Sequence, residues 1–231
     1  MLRDMSGRLE AGDAALDVGA NICNHSPYLA AVCSAKLTAF ESNARLAAAL
    51  ARSVELNGLQ SRISVRTLGV GATAGPANFA EEIPENLGRQ SLIGDRDGII
   101  RVEPLDEQLF PEHVRMIKID VVGMELDVIT GAQILITRDR PVIYVESTTE
   151  SQYRQMITFF KNQNYVYWDT FNATPTHLLL PSETVSAEHH LQHLKMREVL
   201  ETYRNATDKS NLTDALNNSN EKYRTVAQQL T

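Results

Sequence analysis

Short apolar runs alternate with longer stretches of helical periodicity along most of this chain. Ala15–Val18, Lys36–Phe40, Ile63–Leu68, Arg115–Asp120 and Pro141–Glu146 are brief and rich in Val, Ile, Leu and Ala. That is the composition of strands buried on both faces. Between them, His25–Ser34 carries Tyr28, Leu29 and Val32 at helical spacing, and Ala44–Asn57 is rich in Ala, Leu, Arg and Glu before the stop signal Asn57-Gly58. Glu125–Leu135 and the amphipathic Ser151–Lys161 predict two further helices. Tyr165–Asp169 and His177–Leu180 predict a closing hairpin. Gly69–Gly98, with many Gly, Pro and Asn residues, reads as a long loop holding at most a short strand, and Ile99–Pro104 as an edge strand. Strands alternating with helices predict an α/β fold around a mostly parallel sheet.

The pattern changes after Pro181. Glu188–Thr231 has no proline or glycine, and Leu212, Leu216, Ser219, Tyr223, Val226 and Leu230 follow at spacings of four and three. Residues 182–231 are therefore expected to form a helical, coiled-coil-like tail that pairs with another copy or leads onward, with a lone docked helix as the alternative. The expected division is a domain over residues 1–181 and a tail over 182–231. His189, His190 and His193 read as part of a solvated helix face, not as metal ligands.

Four of the strands end in an acid: Asp17, Glu41, Asp120 and Glu146. In an open parallel sheet the carboxyl ends of the strands share one edge, and ligands bind there. The first acid precedes a turn, Asp17-Val18-Gly19-Ala20-Asn21, which opens into a helix. Glycine permits a tight bend and close backbone approach there. Glu41 follows about twenty residues later, the spacing of an acid that accepts hydrogen bonds from ribose hydroxyls. The turn lacks the G-x-G-x-x-G of a dinucleotide site, and no GxxxxGK[ST] phosphate loop occurs. A nicotinamide-dependent oxidoreductase is thereby a distant alternative, and S-adenosylmethionine fits the pattern better.

Composition narrows the reading further. With 231 residues, 43% of them hydrophobic, the chain can build one sizeable core. A formal net charge of −7 argues against a nucleic-acid partner. No apolar run approaches the roughly 18 residues of a membrane span, and the N-terminus has no signal-peptide pattern. The two cysteines, Cys23 and Cys33, form no metal or disulfide motif. The sequence reads as a reduced, cytoplasmic protein without a metal.

Four segments resemble the FkbM-type methyltransferase family: Leu16–Ser26 (L-D-V-G-A-N-I-C-N-H-S), Ala39–Asn43 (A-F-E-S-N), Ile117–Ala132 (beginning I-K-I-D-V-V-G-M-E) and Arg140–Glu146 (R-P-V-I-Y-V-E). Leu56–Leu59 and Pro104–Glu107 fit as well. The resemblance implies a class I methyltransferase fold, a Rossmann-like seven-stranded sheet with helices on both faces. It also implies S-adenosylmethionine as the methyl donor, and O-methylation of a hydroxyl on a sugar, glycan or related natural-product precursor.

On this reading Asp17, Gly19, Ala20 and Asn21 hold the donor from the first turn. Glu41, Ser42, Leu68 and Asp120 hold it from the ends of the following strands. Asp120, Glu125 and His25 are the candidates for removing the acceptor's proton. Lys118 is expected to turn to the opposite sheet face. The loop Asn78–Asp97, which contains Gly88-Arg89-Gln90-Ser91, is expected to close over the donor or acceptor, and Phe171–Thr174 to reach the acceptor from the other side. The family usually has Gly, Pro and Glu where this chain has Cys23, Ser42 and Val122. Those departures keep open a second reading, a methyltransferase-like module of weak or no activity that scaffolds through its tail.

Overall fold

The five apolar runs pair side by side in parallel. The computed structural model describes residues 1–22, 25–81 and 90–196, and the chain forms two compact units, Met1–Thr184 and Val185–Thr231. The first unit begins with α1 (Leu2–Ser6), β1 (Ala14–Val18), α2 (Ser26–Cys33), β2 (Lys36–Phe40), α3 (Ala44–Leu56) and β3 (Ile63–Arg66). Four short strands follow: β4 (Gly69–Val70), β5 (Gly75–Phe79), β6 (Leu92–Gly94) and β7 (Ile100–Glu103). The chain continues through β8 (Val114–Ile119), α4 (Glu125–Thr130), α5 (Gln133–Asp139), β9 (Val142–Glu146), α6 (Glu150–Asn162), β10 (Tyr165–Phe171) and β11 (Thr176–Pro181).

The main sheet has seven strands in the order β10-β11-β9-β8-β1-β2-β3. β9, β8, β1, β2 and β3 run parallel, while β11 is antiparallel to both β9 and β10. It is thus a mixed sheet with a parallel majority. Strand order reverses between β1 and β8, with β2 and β3 on one side and β9 on the other, and such a topological switch point is where open α/β sheets bind ligands.

Side-chain alternation covers both faces. Leu16, Val18, Ile117, Ile119, Ile143 and Val145 form one core cluster with Ile129 of α4, Ile136 of α5 and Met156 and Phe160 of α6. On the other face Asp17 accepts a hydrogen bond from Ser26 of α2, and Tyr144 donates one to Asp4 of α1. Local signals fix the helix ends. The Asn43 side chain accepts from the Arg45 and Leu46 amides at the start of α3, and Thr149 with Gln152 forms a capping box at α6.

Three expectations need correction. Gly69–Gly98 holds three short strands rather than at most one: β4, β5 and β6 join β7 in a second, four-stranded sheet, in the order β4-β7-β5-β6. Its strands are two to five residues long and contain Gly, Pro and Asn, so no apolar period marks them. Consequently β7 is not an edge strand, because it lies between β4 and β5. Finally, Glu125–Leu135 is two helices. A Cβ on Gly131 would stand 2.1 Å from the Gly71 carbonyl oxygen, so the small sheet presses against the chain where α4 stops. Asp106 then caps α5 from afar, accepting from the Ile134 and Leu135 amides at 2.9 and 2.8 Å.

In the second unit, residues 187–196 are helical. The heptad-like positions Leu212–Leu230 lie outside the described residues. Among the described residues, no helix is long and apolar enough to cross a membrane.

Candidate functional site

The turn after β1 is held in place almost entirely by its own backbone. Gly19 takes φ +77°, and a Cβ there would lie 1.9 Å from the Asp120 carbonyl oxygen. Glycine therefore lets the turn sit directly against the end of β8. The Gly19 and Ala20 amides both donate to the Phe40 carbonyl at 3.0 Å. The Asn21 amide donates to Glu41 Oε2 at 2.8 Å, and the Ile22 amide to Asn21 Oδ1 at 2.8 Å. Four consecutive N–H groups thus already have protein acceptors, the last of them in an exposed contact. Glu41 Oε1 accepts from the Asn43 amide, also at 2.8 Å. Each Glu41 oxygen keeps acceptor capacity toward the cleft, because a carboxylate offers about four lone-pair directions. Burial pushes the Glu41 carboxyl above its ordinary value, against the opposing pull of those two amides and of Lys118.

Lys118 is the centre of the charge arrangement. Its partner across the β1–β8 register is Asp17, and Asp120 follows two residues on, on the same face. The ammonium lies 3.0 Å from Asp17 Oδ1 and 3.2 Å from Asp120 Oδ2, and donates to the Gly19 carbonyl at 3.2 Å. Burial acts to lower the ammonium's pKa, but the two carboxylates outweigh it and hold the value above normal. Lys118 is therefore turned into the site rather than to the opposite face. Its partner Asp17 is buried and fixes both Lys118 and Ser26.

The strand end beyond carries a carboxyl pair. Ile119 and Val145 are paired between β8 and β9, so Asp120 and Glu146 stand at the next position on adjacent strands. Burial raises the Asp120 carboxyl, but Lys118 and a hydrogen-bonding interaction with Glu146 bring it below its ordinary value. Glu146 goes the other way, pushed up to about 7 by burial and by the charge and hydrogen bond of Asp120. His25, where α2 begins, is held below its ordinary value by burial and by the Lys118 ammonium.

These groups border an open cleft of about 120 Å³. Of the expected residues, Gly19, Ala20, Asn21, Glu41, Ser42, Asp120 and His25 line it. Asp17 and Leu68 are buried behind it. Glu125 is buried too, and accepts from the Gly123 amide at 3.2 Å and from Gln152 Nε2 at 3.3 Å, so it anchors the start of α4. The Phe171–Thr174 turn lies by the N-terminus, with Asn172 Nδ2 3.4 Å from Met1 Sδ, and does not line the cleft.

A second wall lines the cleft: Phe79, Gln90 and Leu92, all within the loop Asn78–Asp97 expected near the ligand, together with Val70 and Met124, which sequence reasoning missed. Gln90 accepts from Asn43 Nδ2 at 3.3 Å. The part of the closing-loop expectation that rests on Gly88 and Arg89 lies outside the described residues, as does Cys23. Val122, where the family usually has glutamate, borders the cleft and is 38% exposed.

A model of the methyltransferase FkbM domain matches residues 17–167. The chain belongs to the FkbM methyltransferase family. The match begins at Asp17 and ends at Tyr167 in β10, so it spans the whole cleft-bearing edge. Among solved structures, the FkbM methyltransferase from Methylobacillus flagellatus KT superimposes with a TM-score of 0.58 at 18% identity, over 75% of this chain and 44% of that one. This FkbM domain therefore spans less than half of that relative. The METTL16 MTase domain gives a TM-score of 0.50 at 12% identity, over 78% of this chain and 64% of that one. An rRNA methylase from Streptococcus thermophilus gives 0.47 at 12%, over 77% and 90%. At these identities the likeness is one of fold, the class I methyltransferase-like α/β fold. No curated protein matches the chain.

Proposed function

We propose that this domain transfers a methyl group from S-adenosylmethionine to a hydroxyl of a sugar, glycan or related natural-product precursor. The observation that carries the donor assignment is that the Gly19, Ala20, Asn21 and Ile22 amides are already bonded to protein acceptors. A pyrophosphate needs such donors free. The cleft instead offers the Glu41 and Asp120 carboxylates, while its ammonium, Lys118, is taken up by Asp17, Asp120 and a carbonyl. That charge balance suits a ribose diol joined to a cation.

The residues present fit the donor. Glu41 would accept hydrogen bonds from the ribose hydroxyls, Gly19 allows the backbone to approach, and Val70, Phe79 and Leu92 supply an apolar wall for a base. When bound, S-adenosylmethionine supplies a methyl group on a positively charged sulfur. Transfer is an in-line displacement, so most of the protein's contribution is positioning and exclusion of water. A hydroxyl acceptor must also lose its proton, and the carboxyl edge of Asp120 and Glu146 is suited to take it. The acceptor class follows the family resemblance, and the net charge of −7 supports a small molecule or glycan over nucleic acid.

The test is titration calorimetry of the folded chain with S-adenosylmethionine, followed by transfer of a labelled methyl group to a panel of sugars and glycans. Binding with transfer to a carbohydrate hydroxyl is expected. Absence of binding to the folded protein contradicts the donor assignment, and transfer confined to RNA contradicts the acceptor class.

A further inference from the structure

Two further spaces adjoin the donor cleft, and they meet it at different ends. Strand order β8-β1-β2 puts Asp120 and Glu41 on either side of the Gly19 turn. With ribose at Glu41, the donor's reacting end lies toward Asp120. A space of about 460 Å³ joins the cleft at Ser42, Phe79 and Gln90, beside Glu41, and so belongs to the ribose end. The other, a groove of about 230 Å³, shares Leu92 and Met124 with the cleft. Met124 lies in the loop that follows Asp120, so this groove adjoins the reacting end.

The groove owes its room to missing side chains. It lies between the small sheet and α4, and residues 71–77, all but one of them glycine, alanine or proline, form most of its lining. A Cβ on Gly71 would stand 2.8 Å from Val102 Cγ1 and 3.6 Å from Met124 Cε, so glycine lets the chain after β4 close onto the join. A Cβ on Gly94 would meet nothing within 4 Å. Gly94 is on the same face of β6 as Leu92, so its lack of a side chain leaves the groove open. Two polar side chains line it, Thr73 and Asp127, and among the described residues no cationic one does.

We propose that this groove is the acceptor subsite, and that it takes a neutral sugar or glycoside and rejects phosphorylated and nucleotide-linked sugars. The inference rests on the methyl-transfer reading above and narrows it. The small apolar walls match the C–H face of a sugar ring, and Asp127 accepts a hydrogen bond from a hydroxyl near the reacting one. The same carboxylate repels a phosphate, against which the lining sets no cation. Asp127 and Gly94 thereby determine specificity, one by charge and the other by the space it leaves.

The test is transfer of a labelled methyl group by the full chain to matched acceptors: methyl glycosides of several sugars, and the phosphate monoesters and nucleoside-diphosphate forms of the same sugars. Label should enter the neutral members at least about tenfold faster than the charged ones. Gly94→Phe puts a ring into the groove, outside the donor cleft. It should bind S-adenosylhomocysteine, the demethylated donor, with wild-type affinity and raise KM for the neutral acceptors at least about tenfold. Asp127→Asn, at an exposed helical position, should raise the same KM and narrow the preference over the charged acceptors. Equal or faster transfer to the charged acceptors overturns the proposal, as does a wild-type KM in folded Gly94→Phe. The wild-type preference decides even where a variant is unstable. Donor binding without transfer to any acceptor of either kind overturns the methyl-transfer reading and this inference with it.

Discussion

Lys118 and Asp17 form an ion pair at 3.0 Å with side chains only 3% and 2% exposed. One sits on β8 and the other on β1, so the pair ties together the two strands on either side of the switch point. Removing one member of such a buried pair leaves an uncompensated charge and costs about 3–5 kcal/mol. Lys118→Met should therefore lower unfolding stability by that amount in denaturant melts. The double variant Lys118→Met/Asp17→Asn should lose less than the sum of the two single losses. Strict additivity would mean that the two side chains do not depend on each other.

Gly19 should tolerate no side chain. At φ +77° an L-residue costs about 1–2 kcal/mol, and the added Cβ would also meet the Asp120 carbonyl at 1.9 Å. Gly58 has a similar φ of +65° with open space around it. Gly19→Ala should lower the melting temperature clearly more than Gly58→Ala. Equal losses would mean that the close approach to β8 has no energetic weight.

The strand ends and their acids were legible in the sequence because short apolar runs with a terminal carboxylate have few other interpretations. The register between strands was not legible. Nothing in Arg115–Asp120 alone says that Lys118 lies opposite Asp17, and the expectation that it turned away failed for that reason. The small sheet was hidden for a different cause. β5 and β6 are joined through residues 80–91 rather than by a tight turn, and Gly75, Pro76 and Gly94 interrupt any alternation. Phe79 and Leu92 were therefore expected near the ligand as loop residues, not as strand residues of a sheet. Asp106 was visible only as part of a family segment, and its role at α5 depends on a contact 28 residues away.

That contact gives a local test. Asp106→Ala removes the acceptor for two amides at the start of α5, which should cost about 0.5–2 kcal/mol. Thermal unfolding with and without S-adenosylhomocysteine should show lower stability and unchanged affinity, because Asp106 does not line the cleft.

Stability should also report on Glu146. Its carboxyl is pushed up to about 7 in the folded protein from an ordinary 4.5. Between those values the folded state holds more protons than the unfolded chain, so stability falls as pH rises through that window. Asp120 acts below it, since its carboxyl is lowered from 3.8. Urea melts from pH 4.5 to 7 should decline for wild type and decline less steeply for Glu146→Gln, in which the raised Glu41 and Glu125 carboxyls remain. An identical slope in the variant would assign the dependence to another group.

Glu41 bears most directly on the central claim. Among the described residues, it is the one carboxylate that both orders the Gly19 turn and faces the cleft. Losing its hydrogen bonds to ribose should cost about 1.5–3 kcal/mol of binding. The decisive measurement is calorimetric titration of S-adenosylhomocysteine into wild type and Glu41→Gln, with NAD as the comparison ligand. The account predicts binding to wild type, affinity at least about tenfold weaker in Glu41→Gln, and no binding of NAD. NAD bound as tightly as S-adenosylhomocysteine, or a Glu41→Gln protein with wild-type affinity, would contradict it.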